Sequence, residues 1–220
     1  PDSAYSELEP TERLFDKDQT LSQFSAKVIL CEPVRDQADS SEPTWSVILD
    51  RTGFYPESGG QLCDQGNLED AHVLHVGINE GVIIHTVDRP LAHGPITGKI
   101  DQFRRDQISQ HHTSVHIVGG SAREILGSHI WQAGSYKSEQ LARLDITHFN
   151  RLTRDQLDEI EDHANAIVAE NRRVLTTVLD RADADKEHGF SIYQGGPPKH
   201  DRIRVVEVEG HDIQACGGTH

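Results

Sequence analysis

His112-Thr-Ser-Val-His116 lies mid-chain, and Cys216-Gly-Gly-Thr-His220 ends the sequence. Each segment sets two metal-ligand residue types four apart. In a helix, positions i and i+4 share one face with Cβ atoms roughly 6 Å apart, so two imidazoles can share one ion. The glycines of the second segment permit the backbone angles of a ligand loop. Three imidazoles and one thiolate form a donor set that favours Zn²⁺. Among fourteen His, either motif alone reads as chance or as a buried structural His. Together they predict one zinc per chain, tying a helix to a loop at a strand end.

Working outward, Ile108, His112, Val115, His116, Gly119, Ala122 and Leu126 recur at helical spacing, which places both His on the apolar face. Before them the runs are short, rich in Val and Ile, and separated by turns. Strands are predicted at Ala26–Cys31, Trp45–Asp50, Ala71–Val76, Val82–Val87 and Pro95–Asp101, with Asp36–Pro43 as a loop. Their close spacing favours an antiparallel β-barrel. After the helix, strands are predicted near His129–Gly134 and Leu141–Thr147. Thr153 and Gln156 form a capping-box pattern, with Leu152 and Leu157 as a hydrophobic staple. The stripe Leu157, Ile160, Ala164, Ile167 and Val168 continues that helix. Strands at Val174–Leu179, Arg202–Val208 and Asp212–Ala215 then lead into the ligand loop. The fold class is α+β. It divides into a polar tether over 1–20, a β-barrel over 21–101, and a zinc-containing α+β domain over 102–220.

Net charge is −15, and the 21 basic residues are fifteen Arg and six Lys. A nucleic-acid binder is expected to be basic. Acidic excess with few Lys is also what a salt-adapted proteome shows, where the Debye length at molar salt falls to about 3 Å. The acidity therefore reads either as habitat or as a chain that does not bind nucleic acid by itself. No apolar run approaches membrane-spanning length, so no membrane partner is expected. Three Cys, one a candidate ligand, do not make a disulfide framework, which predicts a reducing, cytoplasmic setting. The first residue is Pro and Met is absent, as expected of a piece of a longer chain.

Five segments occur in a telling order: Phe54-Tyr-Pro-Glu-Ser-Gly-Gly-Gln61, the His112/His116 pair, Gln132-Ala-Gly-Ser135, Arg143-Leu-Asp145 and Cys216-Gly-Gly-Thr-His220. From about Thr11 to His220 the chain resembles the editing region of an archaeal, possibly halophilic, alanyl-tRNA synthetase. It is similar to the free-standing AlaX editing proteins. Thr11-Glu-Arg-Leu-Phe15 and Tyr193-Gln-Gly-Gly196, followed by Arg204-Val-Val206, favour the synthetase. The resemblance implies the threonyl/alanyl-tRNA synthetase editing-domain fold and hydrolysis of tRNA(Ala) mischarged with serine or glycine. It also implies an acceptor end carrying that amino acid as partner, beside the rest of a parent synthetase that ligates alanine using ATP. No nucleotide-binding signature for that ligation occurs in these residues.

The resemblance assigns Gln132 and Thr113 to the pocket, and Gly59, Gly60, Gln61, Arg143 and Asp145 to substrate or tRNA contact. Read locally, Gly59-Gly60-Gln61 with Asp64 is a tight turn, Thr113 a helix residue bonding its own backbone, and Arg143 a solvated edge. The Arg104-Arg105 and Arg172-Arg173 pairs read equally as surface. No Glu lies between His112 and His116, which argues against a peptidase of the HExxH kind. Zinc would lower the pKa of bound water toward about 7. Four protein ligands, however, make a closed site of the structural kind. Three readings stay open: one of the four (His220 first) does not touch the ion or yields to substrate, zinc becomes five-coordinate, or the metal positions substrate while a ribose hydroxyl of the terminal adenosine activates the water. Alternatives are a zinc-stabilised module that only binds the acceptor end, a free-standing editing protein, or editing of another tRNA on a related scaffold.

Overall fold

Gln23–Pro33 alternates Phe24, Ala26 and Val28 inward with polar residues outward, the period of a strand with one buried face. The computed structural model, described here for residues 5, 7–34, 42–194 and 201–220, divides into two units. The first covers 1–108 together with Thr219; the second covers 109–218 together with His220.

In the first unit the strands are β1 (Glu12–Arg13), β2 (Gln23–Pro33), β3 (Trp45–Leu49), β4 (Arg51–Thr52), β5 (Gly66–Leu68), β6 (Ala71–Asn79), β7 (Val82–Val87) and β8 (Gly94–Ile100). Six of them pair in the order β2-β3-β7-β6-β5-β8, and β8 returns to β2, which closes a barrel. All these pairings are antiparallel. β2 serves both sides: Gln23–Val28 pairs with β8, and Val28–Pro33 with β3 after a bulge at Ile29. Val28, Val47, Leu49, Phe54, Val76, Ile83 and Val87 fill the interior.

Among them His85 is fully buried, with Nδ1 3.1 Å from the Val47 carbonyl and Nε2 2.9 Å from the Thr52 hydroxyl. The carbonyl can only accept, so Nδ1 carries the proton and Nε2 accepts from Thr52. Burial pushes the His85 pKa down to about 4.

Two expectations change in this unit. Within the stretch expected as a tether, Thr11 to Phe15 are packed into this unit. Thr11 and Phe15 are buried, Thr11 Oγ1 accepts the Ile83 N–H at 3.0 Å, and β1 pairs in parallel with β4. The Arg104-Arg105 pair is buried instead of surface. Arg105 Nε lies 2.9 and 3.0 Å from the Asp64 carboxylate oxygens, and Arg104 donates to the Cys63 carbonyl. Most of the Asp36–Pro43 loop, residues 36–41, lies outside the described residues, as do Gly195 and Gly196.

The helix α1 (Gln102–Leu126) is followed by β9 (Gln132–Lys137), β10 (Ala142–Ile146), α2 (Arg154–Ala169), β11 (Val174–Asp180), α3 (Arg181–His188), β12 (Arg202–Val208) and β13 (Asp212–Ala215). In the second unit β9 and β10 form one antiparallel pair, and β11-β12-β13 a three-stranded antiparallel sheet. Ile117 of α1, Ala164 and Ile167 of α2, and Val208 of β12 pack as one cluster. The capping box at Thr153 and Gln156 is present in both directions. The staple is not: Leu152 packs toward Ala122, Ile130 and Ile160, while Leu157 and Val168 are exposed. The stripe thus narrows to Ile160, Ala164 and Ile167. The strand expected from His129 starts at Gln132. Among the described residues, no helix is long and apolar enough to cross a membrane.

Candidate metal centre

His112 and His116 stand one turn apart on α1, buried, with ring centroids 5.4 Å apart. Cys216 and His220 reach them from the segment after β13, where Cys216 N–H donates to the Arg204 carbonyl at 3.0 Å. One ligand atom from each of the four lies within 4.8 Å of every other. Cys216 Sγ is 3.4 Å from both His112 Nε2 and His220 Nε2. With Zn–S near 2.3 Å and Zn–N near 2.05 Å, a tetrahedral S···N edge is about 3.6 Å. The donors therefore fit a tetrahedral ion in chemistry and in spacing.

The surrounding groups select which nitrogen faces inward. His220 Nδ1 is 3.2 Å from Thr113 Oγ1, which leaves Nε2 toward Cys216. His116 Nδ1 is 3.2 Å from Asp212 Oδ2, an ion-pair distance without full hydrogen-bond alignment. Asp212 is itself buried, bonded to Arg123 and, at 2.8 Å, to Gln214 Nε2. Such outer partners orient a ligating ring and raise its basicity. Arg204 Nη1 holds the Cys216 and Gly218 carbonyls, each at 2.8 Å, and so shapes the loop.

Electrostatics agree with a thiolate among imidazoles. Burial alone would raise the Cys216 thiol, but the charge and hydrogen bonds of His112, followed by bonds to His116 and His220, hold it well below the ordinary value. Burial lowers His112, and it lowers His220 to about 4. His116 is also penalised by burial, yet Asp212 and Cys216 outweigh this and raise it to about 9. Lys137, buried on β9, bonds Ser135 Oγ at 2.7 Å. Burial pushes its ammonium down while the Cys216 charge opposes.

Of the other residues singled out from the sequence, Gln132 opens β9, its N–H donating to Gln194 Oε1 at 3.0 Å. Thr113 meets His220, not its own backbone. Arg143 and Asp145, on β10, face each other in an exposed pair at 3.3 Å. Gly59, Gly60 and Gln61 belong to the first unit. Gly59 and Gly60 have φ of 59° and 75°, as a tight hairpin turn requires. Gln61 is buried, exchanging bonds of 2.8 and 3.1 Å with Thr219. Arg172 and Arg173 pair with Glu170 and Glu209. Sequence reasoning missed Asp212, Arg123 and Lys137. The available signal was weak: an acidic residue opening the strand before Cys216, and one of six Lys.

The family model for class II (A) tRNA synthetases matches residues 2–102. The alanine--tRNA ligase of Halorubrum lacusprofundi is 42% identical over 224 residues, covering 100% of this chain and 23% of that protein. That of Methanosarcina barkeri is 42% identical over 223 residues, with 97% and 23% covered. That of Pyrococcus furiosus is 43% identical over 221 residues, also with 97% and 23% covered. The chain spans about a quarter of the length of these curated relatives. Along its whole length it is related to one segment of archaeal alanine--tRNA ligases, and by that relation it belongs to the alanyl-tRNA synthetase family.

Proposed function

We propose that the chain is the editing part of an alanyl-tRNA synthetase, hydrolysing the ester that joins serine or glycine to tRNA(Ala). The observation that carries this reading is the convergence of His112, His116, Cys216 and His220 with zinc-like spacing. Relatives that are alanine--tRNA ligases supply the substrate class. An activation pocket for alanine discriminates weakly against a ligand smaller by one methylene, or larger by one hydroxyl. A second, hydrolytic site restores the difference. The whole enzyme would also ligate alanine to tRNA(Ala) with ATP.

When bound, a zinc ion would supply Lewis-acid polarisation at the ester. The chain's own residues prepare that place. Thr113 fixes the His220 ring and Asp212 the His116 ring, while Arg204 holds the loop carbonyls. The Lys137 ammonium adds positive charge near Cys216, where an ester oxygen would gain negative charge. Gln132 offers an amide donor and acceptor suited to a seryl hydroxyl. Arg143, released from Asp145, would meet acceptor-end phosphate, as would the Gly59-Gly60 turn.

A second reading rests on the completeness of the donor set. Four protein ligands describe a structural metal, and the chain would then bind the acceptor end without hydrolysing it. Release of serine from Ser-tRNA(Ala), measured beside Ala-tRNA(Ala) at high salt, separates the two. Serine released with alanine spared supports editing. A folded, zinc-loaded chain that binds the tRNA and releases neither supports the structural reading.

A further inference from the structure

In the first unit, the Gly59-Gly60 turn folds the chain back so that Ser58 and Gln61 exchange backbone hydrogen bonds of 3.2 and 2.9 Å. Glu57 precedes this turn and Cys63 follows it. The neighbouring strand β6 carries a bulge. Val73 pairs with Val87 and His75 with Thr86, so Leu74 is extra. Without the bulge, His75 would share the inward parity of Val73; with it, Leu74 and His75 both face out and Val76 returns to the core. The bulge thus turns His75 outward.

His75 Nε2 lies 3.4 Å from Glu57 Oε2, and both side chains are about half exposed. Cys63 is buried beneath them and forms no disulfide. Ligand atoms of Glu57, Cys63 and His75 all fall within 4.8 Å of one another. The frame is held by the backbone of one residue: the Val76 carbonyl accepts from Glu57 N–H at 2.8 Å, and the Val76 backbone also bonds the Cys63 thiol. Both arms of the turn are thus pinned beside His75.

We propose that Glu57, Cys63 and His75 form a second divalent-metal site, separate in residues from the His112 cluster and independent of the editing reading. One thiolate, one imidazole and one carboxylate suit Zn²⁺, at usual bond lengths of about 2.0–2.3 Å. Three protein donors leave the fourth position to solvent or a small anion, and the exposure of Glu57 and His75 gives the ion a path in. Binding converts the Cys63 thiol to thiolate, and the proton passes to solvent.

Zinc titration of the whole chain against a chromogenic competitor tests this. Two binding steps are expected. His75→Ala and Glu57→Gln, both at exposed positions, each weaken one step by at least about tenfold and leave the other unchanged. Cobalt(II) added to Cys216→Ser protein gives a thiolate-to-metal charge-transfer band, and the further change Cys63→Ser removes it. Unchanged affinities in His75→Ala and Glu57→Gln overturn the proposal, whatever Cys63→Ser does to the fold. A cobalt band indifferent to Cys63→Ser overturns it equally.

Discussion

Asp212 Oδ2 stands 3.2 Å from Nδ1 of His116, a buried carboxylate beside a buried candidate ligand. A carboxylate behind a ligating imidazole fixes the tautomer and strengthens the nitrogen that faces the metal. Asp212→Asn keeps the shape and removes the charge. Zinc affinity at the His112 cluster should fall 10- to 100-fold, to within about that range. Competitive titration with a chelator reads this directly, and an affinity equal to that of the unsubstituted chain would remove Asp212 from the account.

Thr113 is expected to act on His220 alone. Thr113→Val retains the volume and β-branching but removes the 3.2 Å contact to Nδ1. Loss of one neutral hydrogen bond costs about 1 kcal/mol, which corresponds to roughly a fivefold weakening of zinc binding. The same change made in a His220→Ala chain should have no further effect on affinity. A further loss there would mean that Thr113 works through another group.

The barrel carries a built-in acid sensitivity. His85 is depressed from 6.5 to about 4 in the folded state, so the unfolded chain binds more protons between those values. Its contribution is fully present above pH 6.5 and is lost as pH falls toward 4. The difference of about 2.5 units corresponds to roughly 3 kcal/mol at most. Urea unfolding followed from pH 7 to pH 4 should show this slope, and His85→Gln should flatten it. An unchanged slope would assign the acid limb to other groups.

Arg105 and Asp64 are both buried, and Asp64 also accepts the Tyr55 N–H at 2.5 Å. Arg105→Met leaves a buried carboxylate without its cation, which should cost about 3–5 kcal/mol. Arg105→Met combined with Asp64→Asn should cost less than the two single changes added together, because no charge is then stranded. Strict additivity in the double-mutant cycle would show that the pair does not act as a unit.

These residues also show what a sequence can reveal. Val82–Val87 and Arg202–Val208 were legible as strands because β-branched residues dominate them between turns. The α3 sequence, Arg-Ala-Asp-Ala-Asp-Lys-Glu-His, has no apolar period; only Ala184 is buried, and nothing marked a helix there. β4 and β5 are too short to show a period. The four candidate ligands stood out because spacing of four is a local property that survives in one dimension. Asp212, Lys137 and Arg105 gain their meaning from partners 40 or more positions away, as with His116–Asp212 and Arg105–Asp64, and no local pattern announces them.

The most direct measurement is serine release from Ser-tRNA(Ala) as zinc is titrated back into metal-stripped Cys63→Ser protein, with bound metal counted at each point. That background isolates the His112 cluster from the second proposed site. The account predicts a rate that rises with occupancy, saturates at one ion per chain, and is absent in Cys216→Ala protein that remains folded. A rate independent of bound zinc, or undiminished in Cys216→Ala, would contradict it.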